Sequence, residues 1–414
     1  MKRILISIVV LFFSFQVLSD DEIKVGVLHS LTGTMSISEK SVVASTLFAI
    51  DEINAAGGVL GKKLRPVVKD GASNWDTFAR QAEVLLTEEK VSVVFGCWTS
   101  ASRKTVKPVF EKHKGILFYP VQYEGVESSP NIVYTGAAPN QQLLPAVAWS
   151  MENLGSKKFF LVGSDYVFPR TANEIIKGKI KELGGEVVGE EYVLLGDHDV
   201  DKMVKSVISA GPGVVILNTI NGDANVAFFN ALKTAGLTAK SNPIISFSIG
   251  EPELATMGAG LLAGHYAAWN YFQSIDSKNN RTFVEKFQRK YGSDSVVSDP
   301  MEASYDGVML WKKAVEAAGS VQPKKVLKRI NQKFDAPEGM VHIDKENQHL
   351  WKYARIGRIR EDGQFDILWT SKKSIRPVPY PKYKSKDEWN TFLMDMYKGW
   401  NNNWANTGVG DLEI

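Results

Sequence analysis

A chain of 414 residues, 44% hydrophobic and 23% charged, holds enough apolar material for two compact domains and excludes extended disorder. Its formal charge is +3, and removing Lys2 and Arg3 leaves +1, which excludes nucleic acid or an anionic membrane as an electrostatic partner. The single cysteine, Cys97, excludes an intramolecular disulfide, so stability rests on packed cores.

In chain order, Lys2 and Arg3 precede an almost unbroken apolar run at 4–15, and Val17-Leu18-Ser19 supplies the small residues preferred at a signal-peptidase site. Residues 1–19 therefore read as an export segment cut near Ser19, which predicts a soluble periplasmic product. The run is shorter than the roughly 18 apolar residues a membrane helix needs, and no Cys follows it to carry a lipid. The stretch 23–28 reads as a buried parallel strand, followed by a polar loop at 29–36. A helix is expected at 38–56, with Val42, Val43, Leu47, Phe48, Ile50 and Ile53 inward and Gly57-Gly58 as its stop. A strand at 64–69, a helix carrying Phe78, Ala82, Leu85 and Leu86, and a strand at 91–95 come next. Alternation continues through 115–120, the pattern of a parallel sheet wrapped by helices.

The order then restarts. Strands at 158–163, 187–193, 214–217 and 243–247 alternate with helices that end at Gly184-Gly185, span 200–210 and span 225–235. Two such halves predict an α/β protein of two lobes. Beyond Ala267 helices are expected at 282–291 and 303–318, and strands at 353–359 and 365–369. In the tail, Trp389, Phe392, Leu393, Met396, Tyr397 and Trp400 recur at helical spacing, which predicts a docked amphipathic helix.

Motifs for chemistry are absent from the sequence. Its six histidines (His29, His113, His198, His265, His342 and His349) include no pair at metal-ligand spacing, and Gly196-Asp197-His198-Asp199 reads as a loop and helix cap. There is no phosphate-binding glycine loop after a strand and no nucleophile elbow. Cys97, just past a strand, is the one candidate nucleophile for an amidase, but no neighbouring His or Lys activates it, and it reads as a small hydrophobe. No cofactor, metal or catalytic residue is expected.

Ligands of open α/β sheets bind beyond the carboxyl ends of strands, and in two-lobed proteins between the lobes. Here those ends read Gly96-Cys97-Trp98-Thr99-Ser100-Ala101-Ser102 and Phe118-Tyr119-Pro120-Val121-Gln122-Tyr123-Glu124-Gly125. With Tyr134-Thr135-Gly136-Ala137-Ala138-Pro139-Asn140-Gln141-Gln142, they closely resemble the urea-binding components of urea uptake transporters, a branch of the type 1 periplasmic binding proteins. The resemblance runs from about residue 23 into the tail, and Ala303-Ser304-Tyr305-Asp306 falls where the wider family has a similar motif.

The resemblance implies two doubly wound parallel-sheet lobes joined by a three-crossover hinge that closes on a ligand destined for an ABC permease. It assigns residues 20–139 and 268–345 to the first lobe, 140–267 and 346–380 to the second, and 381–414 to the docked tail. It puts Thr99, Ser100, Tyr119, Gln122 and Tyr123 in the cleft from the first lobe. Tyr166, Thr219, Ser246 and Ser248 face them from the second, with Glu251 a looser match.

Urea is planar and neutral, with one carbonyl acceptor and four N–H donors. Hydroxyls of Thr99, Ser100, Tyr119 and Tyr123 can donate or accept, Glu124 would accept N–H groups, and Trp98 or Tyr123 would sandwich the plane. Four heavy atoms at a ceiling of about −1.5 kcal/mol each limit affinity to tens of micromolar, on the order of −6 kcal/mol. Short aliphatic amides such as acetamide or formamide are the alternative ligand, a branched-chain amino acid a more distant one. A secreted amidase is the reading from another class.

Overall fold

The computed structural model describes residues 22–408. The expected export segment, residues 1–19 with its cut near Ser19, lies outside the described residues. Strands β1 (Glu22–His29), β2 (Lys63–Asp70), β3 (Val94–Gly96), β4 (Leu117–Tyr119) and β5 (Ile132–Tyr134) form a parallel sheet in the order β2-β1-β3-β4-β5. Helices cover both of its faces, so β1 carries the wholly buried run of Val25, Val27 and Leu28 rather than an alternating pattern. The chain leaves β1 toward β2 on one side and returns as β3 on the other. That switch point opens a crevice beyond the carboxyl ends of β1 and β3.

A second parallel array repeats the plan with β6 (Lys158–Ser164), β7 (Glu186–Val193), β8 (Val215–Thr219), β9 (Ile244–Ser246) and β10 (Tyr266–Trp269). Its switch point lies between β6 and β8. After β10 the chain returns to the first sheet. There Trp311, Ala314 and Val315 of the helix Asp299–Ala318 share a core with Val25, Val27 and Phe95. Phe283 and Phe287 of Lys278–Tyr291 close on Phe48, with ring centroids 6.1 and 5.5 Å away.

A small antiparallel sheet follows, made of β11 (Lys333–Ala336), β12 (Gly339–Ile343) and β13 (Leu350–Trp351). Finally β14 (Arg355–Ile359) and β15 (Phe365–Thr370) extend the second sheet antiparallel beyond β10, in the order β15-β14-β10-β9-β8-β6-β7. The return to the second lobe, expected at residue 346, comes later. Val341, Ile343 and Leu350 still belong to the first core, and His349 pairs with Tyr134. Gln348 runs along the β5 edge, its O accepting the Tyr134 N–H at 2.9 Å and its Nε2 donating to Ile132 O at 2.9 Å, so the chain crosses only beyond this pairing.

The three crossovers are tied to one another. Asn270 Nδ2 donates to Gln141 O at 2.9 Å and to Tyr353 O at 2.8 Å, which joins a residue of each. The tail helix Lys386–Gly399 starts in a capping box between Ser385 and Glu388 and buries Trp389, Leu393 and Met396 in the second core, with Trp400 just beyond. Among the described residues no helix is long and apolar enough to cross a membrane.

Candidate functional site

Two backbone choices open the crevice. A Cβ on Gly96 would lie 2.2 Å from Leu28 O, so only glycine lets β3 end this close to β1. Cys97 follows in the left-handed region at φ +65°, a strained turn of the kind that clusters at ligand sites. It delivers Trp98 into the crevice and makes Thr99 the cap of the helix Ser100–His113, whose Ser102 N–H donates to Thr99 Oγ1 at 3.0 Å. Arg103 N–H donates to Thr99 O, so Ser100 and Ala101, the first two helical residues just past Trp98, have N–H groups without intrahelical partners.

The lobes meet directly across this place. Gln122 Nε2 donates to Phe247 O at 2.8 Å, Trp98 Nε1 to Asn221 Oδ1 at 3.4 Å, and Ser38 Oγ to Glu253 Oε1 at 2.6 Å. All twelve residues expected at the site are buried, none more than 4% exposed. An open concavity of about 860 Å³ lies elsewhere, between β7 and the helix Asp201–Ser209. It carries none of these residues, so the crevice is the better candidate.

Several expected contacts are spent inside the protein. Glu124, expected to accept ligand N–H groups, instead accepts from Arg103 Nη2 at 3.0 Å on one oxygen and from the Ser100 hydroxyl on the other. Tyr123, expected to sandwich a flat ligand, instead stacks on Tyr134 at 5.0 Å, lies 4.4 Å from the Arg103 guanidinium and bonds His349 through its hydroxyl. Arg103 Nε and Lys104 Nζ also grip Glu127 at 2.9 and 3.0 Å, so two buried cations neutralise two buried carboxylates. Burial alone would raise the Glu127 carboxyl, but Arg103 and Lys104 outweigh it and hold it well below the usual carboxylate range. Tyr119 donates to Trp98 O.

On the second lobe, Thr219 Oγ1 donates to Val162 O at 2.9 Å and Ser248 Oγ to Ile220 O, while Ser246 Oγ accepts from the Ile249 N–H at 3.2 Å. These hydroxyls tie strand ends rather than pointing free into the cleft. Glu251 accepts from the Gln273 N–H at 2.8 Å, beside a crossover, and burial pushes its carboxyl up to about 8. Its neighbour Glu253 is the acid that reaches the other lobe. Tyr166 is different. Its hydroxyl has no hydrogen-bond partner among the described residues, and burial followed by the charges of Tyr119, Glu124 and Glu39 pushes its phenol well above the ordinary value. All three of those residues belong to the first lobe, and Tyr166 shares a core with Ala101 of that lobe.

The sequence reading missed His29, Glu39, Arg103 and Asn221. A signal existed for two of them. Glu39 lies three and four residues before the inward Val42 and Val43, and Arg103 three before the buried Val106. Glu39 Oε1, His29 Nε2 and Gln122 Oε1 are buried atoms without partners among the described residues. The cleft thus offers backbone N–H donors, unpaired oxygen acceptors and the flat Trp98 and Tyr119. Cys97 offers no nucleophile, since burial and then Glu39 push its thiol far above its ordinary value. One carboxylate group among the described residues, Glu302, Asp306 and Glu338, is close enough to share an ion. It lies at the crossovers, where Lys352 Nζ already stands 2.9 Å from Glu338.

A family model described as a periplasmic binding protein domain matches residues 23–386. The Leu/Ile/Val-binding protein homolog 6 of Brucella melitensis is 26% identical over 358 residues, covering 83% of this chain and 90% of that protein. Limonene hydroxylase of Geobacillus stearothermophilus is 40% identical over 124 residues, which is 30% of this chain and only 23% of the length of that protein. Among solved structures, the solute-binding protein of an ABC transporter from Rhodopseudomonas palustris HaA2, in complex with p-hydroxybenzoic acid, aligns with a TM-score of 0.78 at 25% identity. It covers 86% of this chain and 98% of that one.

Proposed function

The chain belongs to the periplasmic binding protein family, and from that premise we propose that it captures urea, or a very similar small neutral amide, between its lobes and hands it to an ABC permease. The observation that carries this is direct contact of the lobes across the site, through Gln122 to Phe247 and Trp98 to Asn221. Contacts this direct favour a four-atom planar molecule over the bulk of a leucine side chain or a benzoate ring. Charge supports the same reading, because Arg103 and Lys104 are already committed to Glu124 and Glu127, leaving neither cation for a ligand carboxylate. In this reading the protein works in the periplasm after loss of residues 1–19 and performs no chemistry on its ligand.

The branched-chain amino acids named for the Brucella relative are the second reading, favoured by similarity over most of both chains. Isothermal titration of residues 20–414 with urea, acetamide, leucine and p-hydroxybenzoate separates the two. Saturable heat from urea, weaker heat from acetamide and none from the other two is expected. Heat from leucine with silence from urea sinks the proposal.

A further inference from the structure

We infer that Glu39, together with Gln122, forms the N–H-accepting side of the cleft, so that the site takes neutral amides with unsubstituted N–H groups and rejects carboxylates. This rests on the urea reading and names what the cleft demands of its ligand. Glu39 is the fourth residue of the helix Ser36–Ala55 and is wholly buried. Its Oε2 accepts from His29 Nδ1 at 2.9 Å and from the Ser30 N–H at 2.8 Å, two bonds that fix the plane of the carboxylate. Its Oε1 has no partner among the described residues.

Two further observations place that carboxylate at the crevice. Its partners His29 and Ser30 lie at the carboxyl end of β1, at the switch point of the first sheet. The preceding residue, Ser38, bonds Glu253, so the start of this helix is held against the second lobe. Gln122 shows the same division of labour. Its amide nitrogen spans the lobes to Phe247 O, and its Oε1 is left buried and unpartnered.

A buried acceptor without a donor is unfavourable, and a ligand bringing N–H groups to both oxygens relieves two at once. A carboxylate brings acceptors only, and beside Glu39 it adds a second negative charge in a dry site. Acetamide and acetate, alike in shape, are therefore told apart by chemistry rather than size.

The test is titration calorimetry of residues 20–414 and of the variant Glu39→Gln with urea, acetamide, acetate and N,N′-dimethylurea. The unmodified protein is expected to bind urea and acetamide, to ignore acetate, and to bind dimethylurea at least roughly tenfold more weakly than urea. In Glu39→Gln the amide oxygen keeps the His29 and Ser30 bonds and turns its NH2 toward the ligand, lowering urea affinity roughly 10- to 100-fold. Unchanged urea affinity in a folded variant, or acetate bound as tightly as acetamide, overturns the assignment while leaving urea binding intact. Failure of the unmodified protein to bind any amide overturns the assignment and the urea reading together. Should the variant lack a native circular dichroism spectrum, the four-ligand series on the unmodified protein decides alone.

Discussion

Arg103 is gripped on every side: Nε by Glu127, Nη2 by Glu124, and its guanidinium carbon 4.8 and 4.4 Å from the Tyr119 and Tyr123 ring centres. Arg103→Met would strip both carboxylates of their main counter-charge and leave only Lys104 between them. Such a loss costs about 3–5 kcal/mol, to be read as a lower midpoint in guanidinium chloride, since urea is the proposed ligand. The pH response has a definite sign. Glu127 is held below its unfolded value, so its contribution is present at neutral pH and disappears as pH falls below the ordinary carboxylate range. The same cluster explains where the sequence was silent. Charged residues are ordinarily solvated, so Glu124 reads as free for a ligand unless its three-dimensional partner is known, and Arg103 reads as surface. Trp98 and Tyr166 were expected at the cleft because they follow strand ends; both are buried there, and Trp98 Nε1 donates to Asn221 Oδ1 of the other lobe.

At the scale of elements, long apolar strands and long amphipathic helices were legible, and short elements held by neighbours were not. β1, β6 and the tail helix follow from hydrophobic runs and spacing. The three-residue β5 and the β11–β13 sheet carry too few residues for a period, and their strand form comes from pairing with what lies beside them. The tail shows how far one well-read element reaches. Trp389 is wholly buried and donates from Nε1 to Pro381 O at 2.9 Å, in the same core as Tyr166. The chain just beyond its helix pairs Ala405 with Tyr166 and accepts the Val167 N–H at Trp404 O. Trp389→Ala is expected to cost about 3–5 kcal/mol, measured by thermal or guanidinium melts. If the tail is merely laid on the surface, the substitution will leave the midpoint unchanged.

The whole molecule pivots on a charge imbalance at the crossovers. Among the described residues, Asp299, Glu302, Asp306 and Glu338 are buried there beside two cations, Lys352 and Arg355. Asp299 accepts the Asn270 and Tyr271 N–H groups of one crossover at 2.7 and 2.8 Å, and Lys352 donates to Thr135 O of another at 3.2 Å. Lys352 stands 2.9 Å from Glu338 but without hydrogen-bond geometry, so the pair is held by charge. Four acids facing two cations cannot all ionise cheaply. Burial first, and for Glu302 the adjacent Asp306 and Glu338 next, push all four carboxyls above their ordinary values. Acids raised in the folded state give stability that is full below the unfolded carboxylate range and is lost as pH climbs through the folded values. Lys352 is pushed upward, so its own contribution stays intact across that window. Among the described residues both oxygens of Asp306 and both of Glu338 lack hydrogen-bond partners. Glu338, however, is ion-paired with Lys352 and Arg355, whereas Asp306 has no cation within ion-pair distance, which makes Asp306 the carboxyl with least to lose on neutralisation. Asp306→Asn is therefore expected to flatten the decline of the melting temperature as pH climbs above the ordinary carboxylate range. The gain at the alkaline end is about 1.4 kcal/mol for each pH unit over which that one group alone would have been forced to ionise. A variant that declines as steeply as the parent, or more so, would mean that Lys352 and Arg355 already balance the cluster. The hinge would then carry no proton for pH to remove.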